Sequence, residues 1–131
     1  MKKILFGTDG IRSLSNDEIF NNLSLNILSK AILKNNKNLK IVVGRDTRES
    51  SKEIENNFIN ALKNNGATIF KVGLLSTPAI SYLTKKLNCD LGIVISASHN
   101  SYQFNGIKFF NKNGEKLSDS EESKIEKNFF K

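Results

Sequence analysis

The segment Ser96-Ala97-Ser98-His99-Asn100 gathers two hydroxyls, the chain's only histidine and an amide within five residues, and Lys108 lies ten residues beyond Ser98. It follows an apolar run, Leu91 to Ile95, that reads as a buried strand. A small, hydroxyl-rich turn at the carboxyl end of a strand is where open α/β sheets place ligands and chemistry. Acyl transfer is a poor fit. Ser98 and His99 are neighbours, which rarely lets the imidazole face the hydroxyl, and the chain has no Gly-x-Ser-x-Gly elbow. A Gly-x-x-x-x-Gly-Lys-Ser/Thr phosphate loop is also missing. What remains is a serine that carries a phosphoryl group. Phosphoserine holds about −1.5 to −2 charges and needs cations and donors around it. His99, Lys108 and Arg12 are the candidates for charge and proton transfer, and Asn100 for holding the loop.

The cations sort themselves. Of 20 basic residues only Arg12, Arg45 and Arg48 are arginine, and all three sit in loops containing Gly, Asp or Thr. Where lysine is the default cation, arginine marks a need for a rigid fork on a carboxylate or phosphate. Ion pairs with Asp9 or Asp46 are the alternative use. The net charge of +7 raises a nucleic-acid reading. The lysines, however, are scattered among asparagines without interleaved aromatics, which describes a solvated surface and no nucleic-acid partner.

The elements that must position these residues alternate. Lys3 to Phe6 is expected as a strand opening into the loop Gly7 to Arg12, and Leu39 to Val43 as a strand ending in Gly44-Arg45-Asp46-Thr47-Arg48. Ala67 to Val72 and Leu91 to Ile95 read as further strands, so the three loops each follow a strand. Capping boxes at Ser15 to Glu18, Ser50 to Glu53 and Ser118 to Glu121 open three helices, and Thr77-Pro78 caps a short one running to Leu87. Ile107 to Phe110 and Gly114 to Leu117 are expected to pair as a hairpin around Asn111 to Gly114. This pattern specifies a three-layer α/β/α domain with a mixed, largely parallel sheet.

With 131 residues, 38% of them hydrophobic, the chain suits one domain spanning 1–131 with a real core. No apolar run is long enough for a bilayer, and the first residues turn polar too quickly for a signal peptide, so no membrane partner is expected. A single cysteine, Cys89, excludes an internal disulfide, and one Cys with one His excludes a zinc site. A cytoplasmic location follows from these readings.

Phe6-Gly7-Thr8-Asp9-Gly10-Ile11-Arg12, then Gly44 to Arg48, then Gly92 to Asn100, closing with Asn105-Gly106-Ile107-Lys108-Phe109-Phe110, resembles the first domain of the α-D-phosphohexomutases, in family order and over nearly the whole chain. The opening motif and the Ile-Lys-Phe-Phe ending resemble the glucosamine branch more than the phosphomannomutase/phosphoglucomutase branch. The resemblance implies that Ser98 is the phosphorylated catalytic serine, with Ser96 a loop residue, and that Arg12, His99 and Lys108 line the site. It implies interconversion of glucosamine 6-phosphate and glucosamine 1-phosphate through a sugar bisphosphate. It also implies a Mg²⁺ ion with the Ser98 phosphate as one ligand. Ser13 and Ser101 depart from the family's glycine and proline, and the second change is expected to loosen the serine loop. The family's metal, sugar and C-terminal phosphate loops, carried by three further domains, have no counterpart in this chain. Activity is therefore expected only together with those domains. A phosphomannomutase/phosphoglucomutase domain and a non-catalytic remnant are the alternatives.

Overall fold

The computed structural model describes residues 5–98 and 100–131. Five strands form one mixed sheet: β1 (Ile11–Leu14), β2 (Lys40–Arg45), β3 (Thr68–Leu74), β4 (Leu91–Ile95) and β5 (Phe104–Asn111), in the order β1-β5-β4-β2-β3. β2 pairs parallel with both β3 and β4, while β5 pairs antiparallel with β4 and with β1. Four strands thus point one way and β5 alone opposes them.

Helices α1 (Asn22–Ile32), α2 (Glu49–Asn64) and α4 (Asp119–Phe129) cover one face, and α3 (Thr77–Lys86) packs on the other. The three expected layers are present. On the larger side, Ile54, Phe58 and Leu62 recur at helical spacing along α2 and bury against Ile41, Val43, Ile93 and Ile95. Each such fully buried side chain contributes about 1.5–3 kcal/mol. The smaller side sets Ile80 of α3 against Val42 and Val94, with Cys89 buried beside them as a free thiol. Among the described residues, no helix is long and apolar enough to cross a membrane.

Several local expectations are corrected. Of the strand expected over 3–6, residues 3 and 4 lie outside the described residues, and Leu5 and Phe6 are not in a strand. Their amides instead donate to Glu126 Oε2 on α4, both at 2.8 Å. The first strand is Ile11–Leu14, so the Gly7 loop precedes its strand and Arg12 lies within it. Strand pairing with β5 wins here because Ile11 gains a core position opposite Ile107. At the first helix, Asp17 caps a 3-10 turn over Glu18–Phe20 and Asn21 caps α1, so Ser15 is no cap. α2 begins at Glu49 without a side-chain cap, because Ser50 and Ser51 spend their hydroxyls on tertiary partners. Ser76 rather than Thr77 caps α3. The hairpin reduces to a single bridge between Phe110 and Lys116, and β5 starts earlier, at Phe104. The capping box at Ser118 and Glu121 forms as read.

Candidate functional site

The loops after β2 and β4 leave the carboxyl ends of adjacent parallel strands, and β1 and β5 bring Arg12 and Lys108 alongside. Ile11 and Ile107 pair with their side chains in the larger core. Period-2 alternation then turns Arg12, Gly106 and Lys108 to the opposite face. There Lys108 Nζ donates a hydrogen bond directly to Ser98 Oγ. Ser98 is exposed and adopts the left-handed conformation, with φ of 54°. A non-glycine residue in that region is uncommon and costs on the order of 1–2 kcal/mol, so the surroundings must hold it.

Gly106 is what lets the strands come this close. A Cβ there would lie 2.8 Å from the carbonyl oxygens of both Ile11 and Ser96, so only a bare backbone fits between β1 and the serine loop.

The loop is held from two sides. Ser96, buried, accepts from Ser98 N at 3.0 Å. Asp46 accepts from Ser51 Oγ at 2.6 Å, from Arg48 N at 3.0 Å and from Arg48 Nε at 2.9 Å. Burial pushes the Asp46 carboxyl up, but bonds from Ser51, Arg48 and Ser96 outweigh it and hold the group below its ordinary range. Arg48 then reaches across to the carbonyls of Ser98, Asn100, Ser101 and Phe104. Behind these, fully buried Asn105 donates to Ser50 Oγ and Ser51 Oγ and accepts from Gly106 N at 2.8 Å.

The predicted site residues therefore separate. Ser98 and Lys108 are in contact, and Arg12 lies diagonal to Lys108 on the neighbouring strand, with its guanidinium 3.3 Å from Asp9. His99 lies outside the described residues. Asn100 contributes its backbone to the turn through N–H donation to Ala97 O and carbonyl acceptance from Arg48. Arg45 sits 3.4 Å from buried Glu55, close enough for ionic attraction but misaligned for a hydrogen bond. Burial raises the Glu55 carboxyl above its usual range, with Lys71 and Arg45 opposing. Asp46 and Asn105 were missed as site-shaping residues. The one signal for Asp46 was its place between two of the three arginines.

A cleft of about 190 Å³ adjoins Lys108, lined also by Asp9, Thr77, Phe110, Lys116 and Glu122. A larger groove of about 550 Å³ lies by Lys34, Lys37 and Gly66, at the opposite ends of the strands, and none of the chemistry borders it. Among the described residues, no three His, Cys, Asp or Glu side chains converge to hold a metal ion, and the side chain touching Ser98 Oγ is a cation. The described residues by themselves therefore do not compose a Mg²⁺ site.

A family model described as "Phosphoglucomutase/phosphomannomutase, alpha/beta/alpha domain I" matches residues 3–131. The chain belongs to that family. It is 47% identical over 129 residues to a phosphoglucosamine mutase of a Nitratiruptor species, covering 96% of this chain and 29% of the relative. It is 46% identical over 125 residues to a phosphoglucosamine mutase of Clostridioides difficile, covering 92% of this chain and 28% of the relative. A solved structure described as a candidate phosphomannomutase of Thermus thermophilus superposes with a TM-score of 0.84 at 28% identity, covering 93% of this chain and 29% of that one. The chain thus spans less than a third of the length of the curated relatives it matches. It corresponds to domain I of these longer relatives.

Proposed function

We propose that this chain is the phosphoserine-bearing domain of a phosphoglucosamine mutase, acting with further domains to interconvert glucosamine 6-phosphate and glucosamine 1-phosphate. The observation that carries the reading is the Lys108 ammonium donating to an exposed, conformationally fixed Ser98 hydroxyl. A serine so placed suits phosphoryl transfer, where positioning and charge stabilisation do most of the work.

Phospho-Ser98 gives its phosphoryl group to a free hydroxyl of the sugar monophosphate. The Oγ–P bond breaks, a new O–P bond forms on the sugar as its hydroxyl gives up a proton to His99, and Lys108 supplies a proton to the departing Oγ. The resulting bisphosphate presents its other phosphate. Ser98 Oγ attacks that phosphorus while its proton passes to Lys108 Nζ, the sugar O–P bond breaks, and the departing sugar oxygen takes back the proton held by His99. Arg12, on the same face, adds positive charge for the equatorial oxygens once its weak, half-exposed link to Asp9 loosens. His99 is assigned to the same charge and proton handling. Mg²⁺, when bound in the whole enzyme, would supply electrostatic stabilisation, and this chain contributes to it only a phosphate oxygen of Ser98. A cytoplasmic setting, hexosamine phosphate and sugar bisphosphate as ligands, and the remaining domains as partners belong to the same proposal.

Replacing the corresponding first domain of the Nitratiruptor phosphoglucosamine mutase with this chain tests it. The expected result is phosphate on Ser98, located by mass spectrometry, with hexosamine phosphate interconversion that Ser98→Ala abolishes. A folded replacement enzyme that carries no phosphate on Ser98, or that is equally active as Ser98→Ala, would overturn the proposal.

A further inference from the structure

The guanidinium of Arg48 has five N–H bonds, and five acceptors meet them. Nε donates to Asp46 Oδ2. One terminal nitrogen donates to Ser101 O at 2.7 Å and Phe104 O at 3.2 Å, and the other to Ser98 O at 2.8 Å and Asn100 O at 2.9 Å. The side chain is 9% exposed. No donor is left for a ligand.

The Asp46 carboxylate anchors the clamp on Ser98. On one side, Ser98 N donates to Ser96 Oγ, while Asp46 N donates to the carbonyl of Ile95, the residue before that serine, at 3.0 Å. On the other, Arg48 joins Asp46 to Ser98 O. Both peptide groups flanking the left-handed residue are therefore held, one by Ser96 and the other through Arg48 by a carboxylate that Ser51 and the start of α2 anchor in turn.

Resting on the reading that Ser98 accepts the phosphoryl group, we propose that Arg48 is the positioning residue of this site. It holds the backbone at Ser98 and from Asn100 to Phe104 in the shape that presents Oγ to Lys108, and it binds neither sugar nor phosphate. The same clamp takes over part of the restraint lost with serine at position 101, since that carbonyl accepts both from Arg48 and from Phe104 N. Lysine cannot substitute: a point charge with three donors does not reach four carbonyls and a carboxylate as a planar fork does.

The test compares Arg48→Lys with the parent chain by amide hydrogen exchange. Exchange over residues 96–104 should rise about tenfold or more, while the amides of β2 and β4 keep their protection. Unchanged exchange in the loop would overturn the proposal. If Arg48→Lys does not fold, Asp46→Asn, which leaves the carbonyl contacts but weakens the anchor, should show the same loop-confined rise, and its absence is equally adverse. In the domain-replaced enzyme, Arg48→Lys should lower kcat about 100-fold with KM within about twofold. A raised KM with unchanged kcat would make Arg48 a substrate ligand and refute the positioning role. The exchange arm needs no phosphorylation, so failure of the proposed function and failure of this inference give different results.

Discussion

Asn105→Asp replaces one amide nitrogen by oxygen, yet the buried surroundings make it a severe change. The Asn105 side chain is fully buried, and its Nδ2 donates to Ser50 Oγ at 2.8 Å and Ser51 Oγ at 2.9 Å. Ser51 has a single hydroxyl proton, already given to Asp46 at 2.6 Å. In the variant, two acceptors would face each other across the Ser51 contact, and a second carboxylate would join the Asp46 network. Only Ser50 can turn its proton toward the new oxygen, and the bond from Gly106 N survives on the other oxygen. One unsatisfied buried acceptor costs about 1–3 kcal/mol, and an added buried charge brings the loss to roughly 3 kcal/mol at neutral pH. That is a large part of a typical stability of about 5–15 kcal/mol. The sign of the pH dependence follows. The new carboxyl is more easily protonated folded than unfolded, so the penalty is full at neutral pH and shrinks as acid neutralises it. Urea unfolding of both chains at pH 7 and at pH 5 measures the difference. A loss below about 0.5 kcal/mol at pH 7, the range of an ordinary surface change, would refute the reasoning, as would a loss that does not fall on acidification.

Two further outcomes are expected. Glu55→Gln removes a buried charge whose Oε2 has no hydrogen-bond partner, and it should stabilise the chain by about 1 kcal/mol at neutral pH. Because burial raises the native Glu55 carboxyl, the parent gains stability as pH falls through that raised value, so the two unfolding curves should converge toward the ordinary carboxylate range; a gap that widens in acid contradicts this. Ser101→Pro restrains the loop while leaving its carbonyl free for Arg48 and Phe104, and should add about 0.4–1 kcal/mol in the same assay, whereas a net loss would show that the native turn at Asn100 is not compatible with a following proline.

The readable parts of the sequence were those set by local chemistry. Leu91 to Ile95 is a strand with the bounds expected, because a fully buried central strand needs five apolar or small residues in a row. Ser118 and Glu121 cap α4 because nothing else competes for their side chains. At Ser50 and Ser51 the same local pattern fails, since Asn105 and Asp46, distant or beyond the helix, claim the hydroxyls. β1 was hidden for the complementary reason: Ile11-Arg12-Ser13-Leu14 has one core residue and becomes a strand only through its pairing with β5. At the site, Ser98 and Lys108 were legible from spacing and resemblance. Arg48's service to four carbonyls was not, because backbone acceptors leave no mark in residue identity.

The missing side chain at position 106 has a consequence for how the two loops can change over time. β1 and the serine turn press on that backbone from opposite sides, at equal hypothetical Cβ distances of 2.8 Å. A drift in either loop that moves its carbonyl inward has no slack to absorb it, so alterations around Ile11 and around Ser96 must be compatible with each other before either is tolerated. Arg12 and Ser98, borne on these two segments, are thereby coupled in space, even though more than eighty residues of chain separate them.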